Sequence, residues 1–146
     1  MNLRTVGLAL FFLSLWQSRE LLVAWQSAPL ERVSGLLFTL WALPSLWELR
    51  TTRLPQPSLV TAGLALTALG TLTDIHALCF GGLALSLAAW RRSFSLIYVL
   101  AALLWMPLTS MIGMRLHLPA LLLLGLRSVL LVLCLLPWNR TRHEKQ

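Results

Sequence analysis

Charge is scarce in this sequence, and acid is scarcest. Only 12% of the 146 residues are charged, with 5 Asp+Glu against 12 Lys+Arg. That is about half the charged share of an ordinary soluble domain. Cysteine is nearly absent: Cys79 and Cys134 are the only two, which excludes a disulfide framework. The chain has no phosphate-binding glycine loop, no H-E-x-x-H and no G-x-S-x-G. The nucleotide, zinc-protease and serine-hydrolase chemistries those motifs support therefore have no sequence basis here. The net charge of +7 does not point to nucleic acid, because the basic residues are scattered and form no continuous stripe. Neither a nucleic-acid partner nor a cofactor is expected.

What remains is apolar. Hydrophobic residues make up 58% of the chain. One soluble core of this length would not hide so much apolar surface, so the composition predicts a bilayer environment. The expected fold is all-α and polytopic, with six transmembrane helices in a single domain over residues 1–138 and a polar tail over 139–146. The expected spans are 6–25, 33–49, 58–73, 75–90, 94–112 and 118–138. The first begins like a signal-peptide core after Arg4, but no small-x-small cleavage site follows it, so it reads as an uncleaved helix. Pro44 and Pro107 fall inside the second and fifth spans, and Pro44 is expected to kink its helix. Only the neighbourhood of Asp74 separates the third span from the fourth, which predicts a tight hairpin.

Charge supports that partition. With the N-terminus cytoplasmic, Arg4, Arg50, Arg53, Arg91, Arg92, Arg140, Arg142 and Lys145 lie inside, and only Arg32 and Arg115 lie outside. This is the positive-inside pattern. Trp47, Trp90 and Trp138 fall at the expected inner interface, and Trp25 at the outer one. The expected location is a bacterial-type inner (plasma) membrane, with both termini cytoplasmic. Cys79 and Cys134 would then stand about 15 Å apart along the normal, too far for a disulfide, leaving two free thiols. Gly63 and Gly70, together with Gly81, Gly82, Ser86, Ala88 and Ala89, suit close helix packing.

Two groups of residues draw attention as chemistry. Arg127 sits mid-span in "LLLLGLRSVLLVL". A charge there is costly, so it should face protein, water or a partner, with Glu20 and Asp74 as candidate counterions. The alternative is that Arg127 snorkels to an interface. "TLTDIHALCF" brings Asp74, His76 and Cys79 together, with His117 on the next outer loop. D-x-H-x-x-C matches no strong metal spacing. Asp74 suits an N-cap for the fourth helix, its carboxylate accepting first-turn N–H groups, and Cys79 then reads as a small apolar packer. A thiol site built from Cys79, Arg115 and His117 is the catalytic alternative, because a nucleophilic cysteine needs a base or cation beside it.

Two stretches carry a family resemblance. "LLVAWQSAPLERVSGLLFTLWALPSLWELR" (21–50) resembles the early segment of the exosortase/archaeosortase family, multi-span membrane proteins taken to be cysteine transpeptidases that process sorting signals. Ser34 and Gly35 fit that family's Ser-His-Gly-type motif, whose histidine is missing here. "GLALTALG" (63–70), "WRRSFSLIYVLAALLWMPL" (90–108) and "LHLPALLLL" (116–124) are similar to its next helices. The resemblance spans residues 6–138 but matches only the non-catalytic half, since no Cys-Ser-Gly-type nucleophile motif follows residue 138. A second alignment takes "ALCFGG" as the nucleophile motif with Arg115 and His117 as its partners, leaving the first 70 residues poorly matched.

The resemblance implies a membrane scaffold or accessory subunit in cell-envelope protein sorting, with Arg127 as a buried polar anchor. Its partners would be other membrane proteins, a second copy, or the lipid bilayer. The alternatives are a minimal cysteine transpeptidase using Cys79, Arg115 and His117, or a small membrane transporter.

Overall fold

The computed structural model describes residues 2–27, 29–50, 54–91, 96–105, 115–117 and 119–143. Among them the chain forms helices only. In order these are α1 (Leu3–Gln17), α2 (Arg19–Ser27), α3 (Pro29–Leu49), α4 (Pro57–Thr73), α5 (His76–Ala88), α6 (Leu96–Leu104) and α7 (Ala120–His143).

The six-span membrane architecture is corrected by these helices. Among the described residues, no helix is both long and apolar enough to cross a membrane. The expected first span breaks into α1 and α2 at Ser18, whose N–H bonds to Ser14 and Trp16. At 1.5 Å per residue, the 15 residues of α1 reach about 22 Å, the 17 of α4 about 26 Å and the 13 of α5 about 20 Å. A hydrocarbon core is about 30 Å thick. The 21-residue α3 is long enough, but Glu31, Arg32, Glu48 and Pro44 dilute its apolar run. α7 continues past the expected end of the sixth span into the polar "NRTRH". Membrane spanning, the cytoplasmic placement of the termini, the inner-membrane location and the envelope-sorting role attached to them are therefore withdrawn. The fifth expected span is represented by α6; Pro107 lies outside the described residues.

The tryptophan pattern also reads differently in three dimensions. Trp25 and Trp90 are buried, not interfacial. The Trp25 indole donates to the Trp105 carbonyl at 3.1 Å, and the Trp41 indole donates to the Tyr98 carbonyl at 3.0 Å. Each ring therefore hides its apolar body while its N–H meets a carbonyl at a helix end. Phe38 and Phe80 fill the space between Trp25 and Trp41, with neighbouring ring centroids 5.3 Å apart. Aromatic packing among α2, α3 and α5 thus makes the centre of the core.

α5 is the central helix. α4, α1, α6 and α3 all pack on it, and most of its residues from Cys79 to Ala88 are buried. The α4–α5 hairpin falls where the sequence placed it. Its seam on α4 is Val60, Gly63, Thr67 and Gly70, a 3–4–3 spacing that stays on one helical face. Across it, Gly82 lies so close to Thr67 that an added Cβ would stand 2.1 Å from the hydroxyl. At the far end the Gln56 N–H bonds to Ala89 at 2.9 Å, closing the pair.

Candidate functional site

Arg127 is the centre of the most unusual arrangement in the molecule. α7 meets the bundle along a narrow line of Leu123, Arg127, Leu131 and Cys134, packing on α3 and α6. Arg127 is only 1% exposed. Its Nη1 donates a short hydrogen bond to Ser34 Oγ on α3. Glu31 lies one turn before Ser34, also buried, and its charge stabilises the guanidinium. Burial lowers the Arg127 pKa from its ordinary value, and the Glu31 carboxylate opposes that shift. An arginine hydrogen-bonded to a hydroxyl in apolar surroundings, with a buried carboxylate favouring its charge, is a polar clamp between two helices.

The expected counterions lie elsewhere. Glu20 is exposed on α2 and pairs with His76 at the start of α5, Oε2 to Nε2 at 2.8 Å. Asp74 is also exposed and is the C-cap of α4, not the N-cap of α5. Its φ of 57° and ψ of 28° are left-handed, and its backbone N–H bonds to Gly70. Aspartate tolerates that conformation better than most residues. Ile75 occupies the N-cap of α5, with no side-chain bond. Asp74 does serve a cap, but at the other helix. Glu31 instead lies buried in the first turn of α3. The E-x-x-S spacing, which puts Glu31 and Ser34 on one helical face, was the available signal.

The thiol constellation is not assembled around an accessible nucleophile. Cys79 is 1% exposed and faces α4, its Sγ 3.8 Å from the Thr67 carbonyl. Arg115 and His117 are both exposed, and His117 has a left-handed φ of 53°. Among the described residues, no group of three or more His, Cys, Asp or Glu is gathered in a metal-binding arrangement.

A second buried polar cluster went unnoticed in the sequence. Tyr98 on α6 donates its hydroxyl to the Trp41 carbonyl at 2.9 Å, and that hydroxyl lies 2.8 Å from Ser45 Oγ. Its ring stacks on Trp41 with centroids 4.3 Å apart. The Arg91 guanidinium lies 4.1 Å from the Tyr98 ring centroid. Burial pushes the Tyr98 pKa up to about 12, against the lowering effects of Ser45 and Arg91. Burial likewise raises the Cys134 thiol pKa, with Arg91 opposing it. Both groups are held neutral at ordinary pH. Neither has the depressed pKa that an activated nucleophile requires.

The described residues thus form an all-α bundle whose buried polar groups tie one helix to another. No family model, curated protein or solved structure matches the chain.

Proposed function

We propose that this chain is a non-enzymatic helical scaffold or accessory subunit that works by packing an apolar helix face against a second copy or a partner protein. The observation that carries this reading is the one-sided seating of α7. Only one narrow line of α7 is buried over residues 120–135, while Leu121, Leu122, Leu126, Val129, Val132 and Leu133 are exposed, Leu121 by 82%. Apolar surface on that scale commonly marks an interaction site. The Arg127–Ser34 clamp supports the reading, since it fixes α7 to α3 and presents the remaining face in one orientation. The buried state of Cys79, and the raised thiol pKa of Cys134, give the cysteine-transpeptidase alternative no support.

Val129→Lys tests the proposal. Val129 is half-exposed, so the charge enters the outer face without disturbing the core. The wild-type protein is expected to run as an assembly by light scattering, and the variant to dissociate with unchanged helical content by circular dichroism. A wild-type chain that is monomeric and holds no partner, or a variant that assembles equally well, would refute the reading.

A further inference from the structure

A trough on a different part of the molecule carries the features of a ligand site. α1, α3 and α5 converge on a hollow of about 210 Å³. Its floor is Leu83 and Leu87 of α5, and its α1 wall is Phe11 and Leu15. α3 supplies Phe38, Thr39, Ala42 and Leu46. The hydroxyl of Thr39 is already committed to the Gly35 carbonyl at 2.9 Å. Among the described lining residues, the trough therefore offers a ligand no free hydrogen-bond donor. A second hollow of about 320 Å³ adjoins it, lined by Leu43, Leu46, Trp47 and Arg50. Leu46 belongs to both.

Leu46 and Arg50 are four residues apart, so they lie one above the other on one helical face. The line from Phe38 to Arg50 runs about 18 Å along α3. It is apolar for most of its length and ends at one cation. Arg50 is exposed, with its guanidinium 5.8 Å from the Trp47 ring centroid. That contact steadies the side chain while leaving its N–H groups available. Among the described residues, no carboxylate lines either hollow. Together the two volumes fall within the roughly 300–1,000 Å³ of small-ligand clefts.

We infer that this trough binds a single-chain amphiphile with an anionic head, of the fatty-acid class, with the acyl chain along Phe38, Ala42, Leu83 and Leu87 and the carboxylate at Arg50. The apolar walls fit the tail by burial, and the guanidinium fits the head by charge-assisted hydrogen bonding. This site is separate from the α7 face and does not depend on it.

Calorimetric titration with dodecanoate below its micelle concentration tests the inference, with its methyl ester as the uncharged comparison. Saturable one-to-one binding of dodecanoate is expected, tighter than that of the ester. Arg50→Ala should weaken dodecanoate at least tenfold and abolish its preference over the ester. Thr39→Trp, placed at an exposed position on the rim, should fill the trough and abolish binding of both ligands, with helical content unchanged. Val129→Lys should bind dodecanoate like wild type, which separates this site from the scaffold reading. Non-saturating uptake overturns the inference, as does binding that either trough variant leaves intact. Binding to vesicles rich in phosphatidylglycerol without binding of free dodecanoate also overturns it, because the recognised group would then be a lipid surface.

Discussion

The α4–α5 seam and the α7 seam are built from similar apolar sequence and do opposite things. Both stretches carry glycine amid leucine and alanine. In α4–α5 the glycines are where the partner backbone arrives: a Cβ on Gly70 would lie 2.7 Å from Cys79 Sγ and 2.8 Å from its backbone nitrogen. In α7 the glycine faces outward, and a Cβ on Gly125 would meet nothing within 4 Å. The first seam is held by closeness and has no charge in it. The second is held by leucines and a buried arginine. A small residue in an apolar helix therefore signals tight packing only where another helix has been placed against it.

The α7 seam is the one that a single change should break most severely. Arg127→Met retains length and apolar volume but removes the guanidinium. Ser34 then loses its buried donor, and Glu31 is left as a buried acid without its compensating charge. Removing one member of a buried pair typically costs about 3–5 kcal/mol. Chemical denaturation should show a loss of that size. Arg127→Met combined with Glu31→Gln should recover part of it, because the second change removes the stranded charge. A double variant no more stable than Arg127→Met alone would show that Glu31 does not act in the clamp.

The α4–α5 seam should fail by crowding. Gly82→Ala puts a methyl group against Thr67 Oγ1 and the Gly63 carbonyl, which an ideal Cβ would approach to 2.1 and 3.0 Å. Overpacking costs about 1–3 kcal/mol, from which the helix preference of alanine over glycine subtracts about 1 kcal/mol. A net loss of about 1 kcal/mol is expected by thermal or chemical unfolding. Thr67→Ala in the same chain should relieve the closer of the two contacts, giving a favourable coupling in a double-mutant cycle.

The sequence exposed local features more readily than three-dimensional placement. The all-helical class, the hairpin turn at Asp74 and the packing role of Gly63, Gly70 and Gly82 could all be read from patterning, because the helical period and the turn are local and the turn folds the glycine-bearing faces of two successive helices together. The anomaly of Arg127 was visible too, since a lone charge in a leucine run stands out at any distance. Its partners were not. Glu31 and Ser34 lie over 90 positions away, and pairing across that separation depends on which helices adjoin. The break at Ser18 was missed for a different reason: the apolar run continues through it, and hydropathy alone does not register a helix that stops and restarts. The Tyr98 cluster joins α3, α6 and Arg91 beyond the end of α5, so no local window contains it. The membrane-spanning expectation came from average composition, which says how much apolar surface a chain has but not into what lengths its helices divide.

Tyr98 links the two seams, since it lies on α6 between α5 and α7. It is the only tyrosine in the chain, so tyrosinate absorbance reports this site alone. Its folded pKa of about 12 exceeds the ordinary value of 10.0. The protonated hydroxyl is therefore favoured by the fold. The associated stability is fully present below about pH 10 and is lost as pH rises towards 12, an effect of order 2–3 kcal/mol. Alkaline unfolding should coincide with tyrosine ionisation. Tyr98→Phe should remove that pH dependence while costing about 1–2 kcal/mol at neutral pH, from the bonds lost to Trp41 and Ser45. Tyrosine ionising near pH 10 in the folded protein would contradict this account.

The smallest effect isolates the comparison most cleanly. Gly125→Ala adds one methyl group where the folded chain leaves open space. Alanine in a helix is preferred to glycine by roughly 0.5–1 kcal/mol. The variant should therefore be slightly more stable than wild type by chemical denaturation, the opposite sign to Gly82→Ala in the hairpin. If the outer face of α7 packs closely on a second helix through this glycine, the same methyl group should weaken assembly while strengthening the isolated fold. Measuring unfolding and assembly on one variant separates the two contributions, because crowding within the chain would lower both. A destabilised Gly125→Ala monomer would mean that α7 is seated more closely on its neighbours than its single buried line indicates.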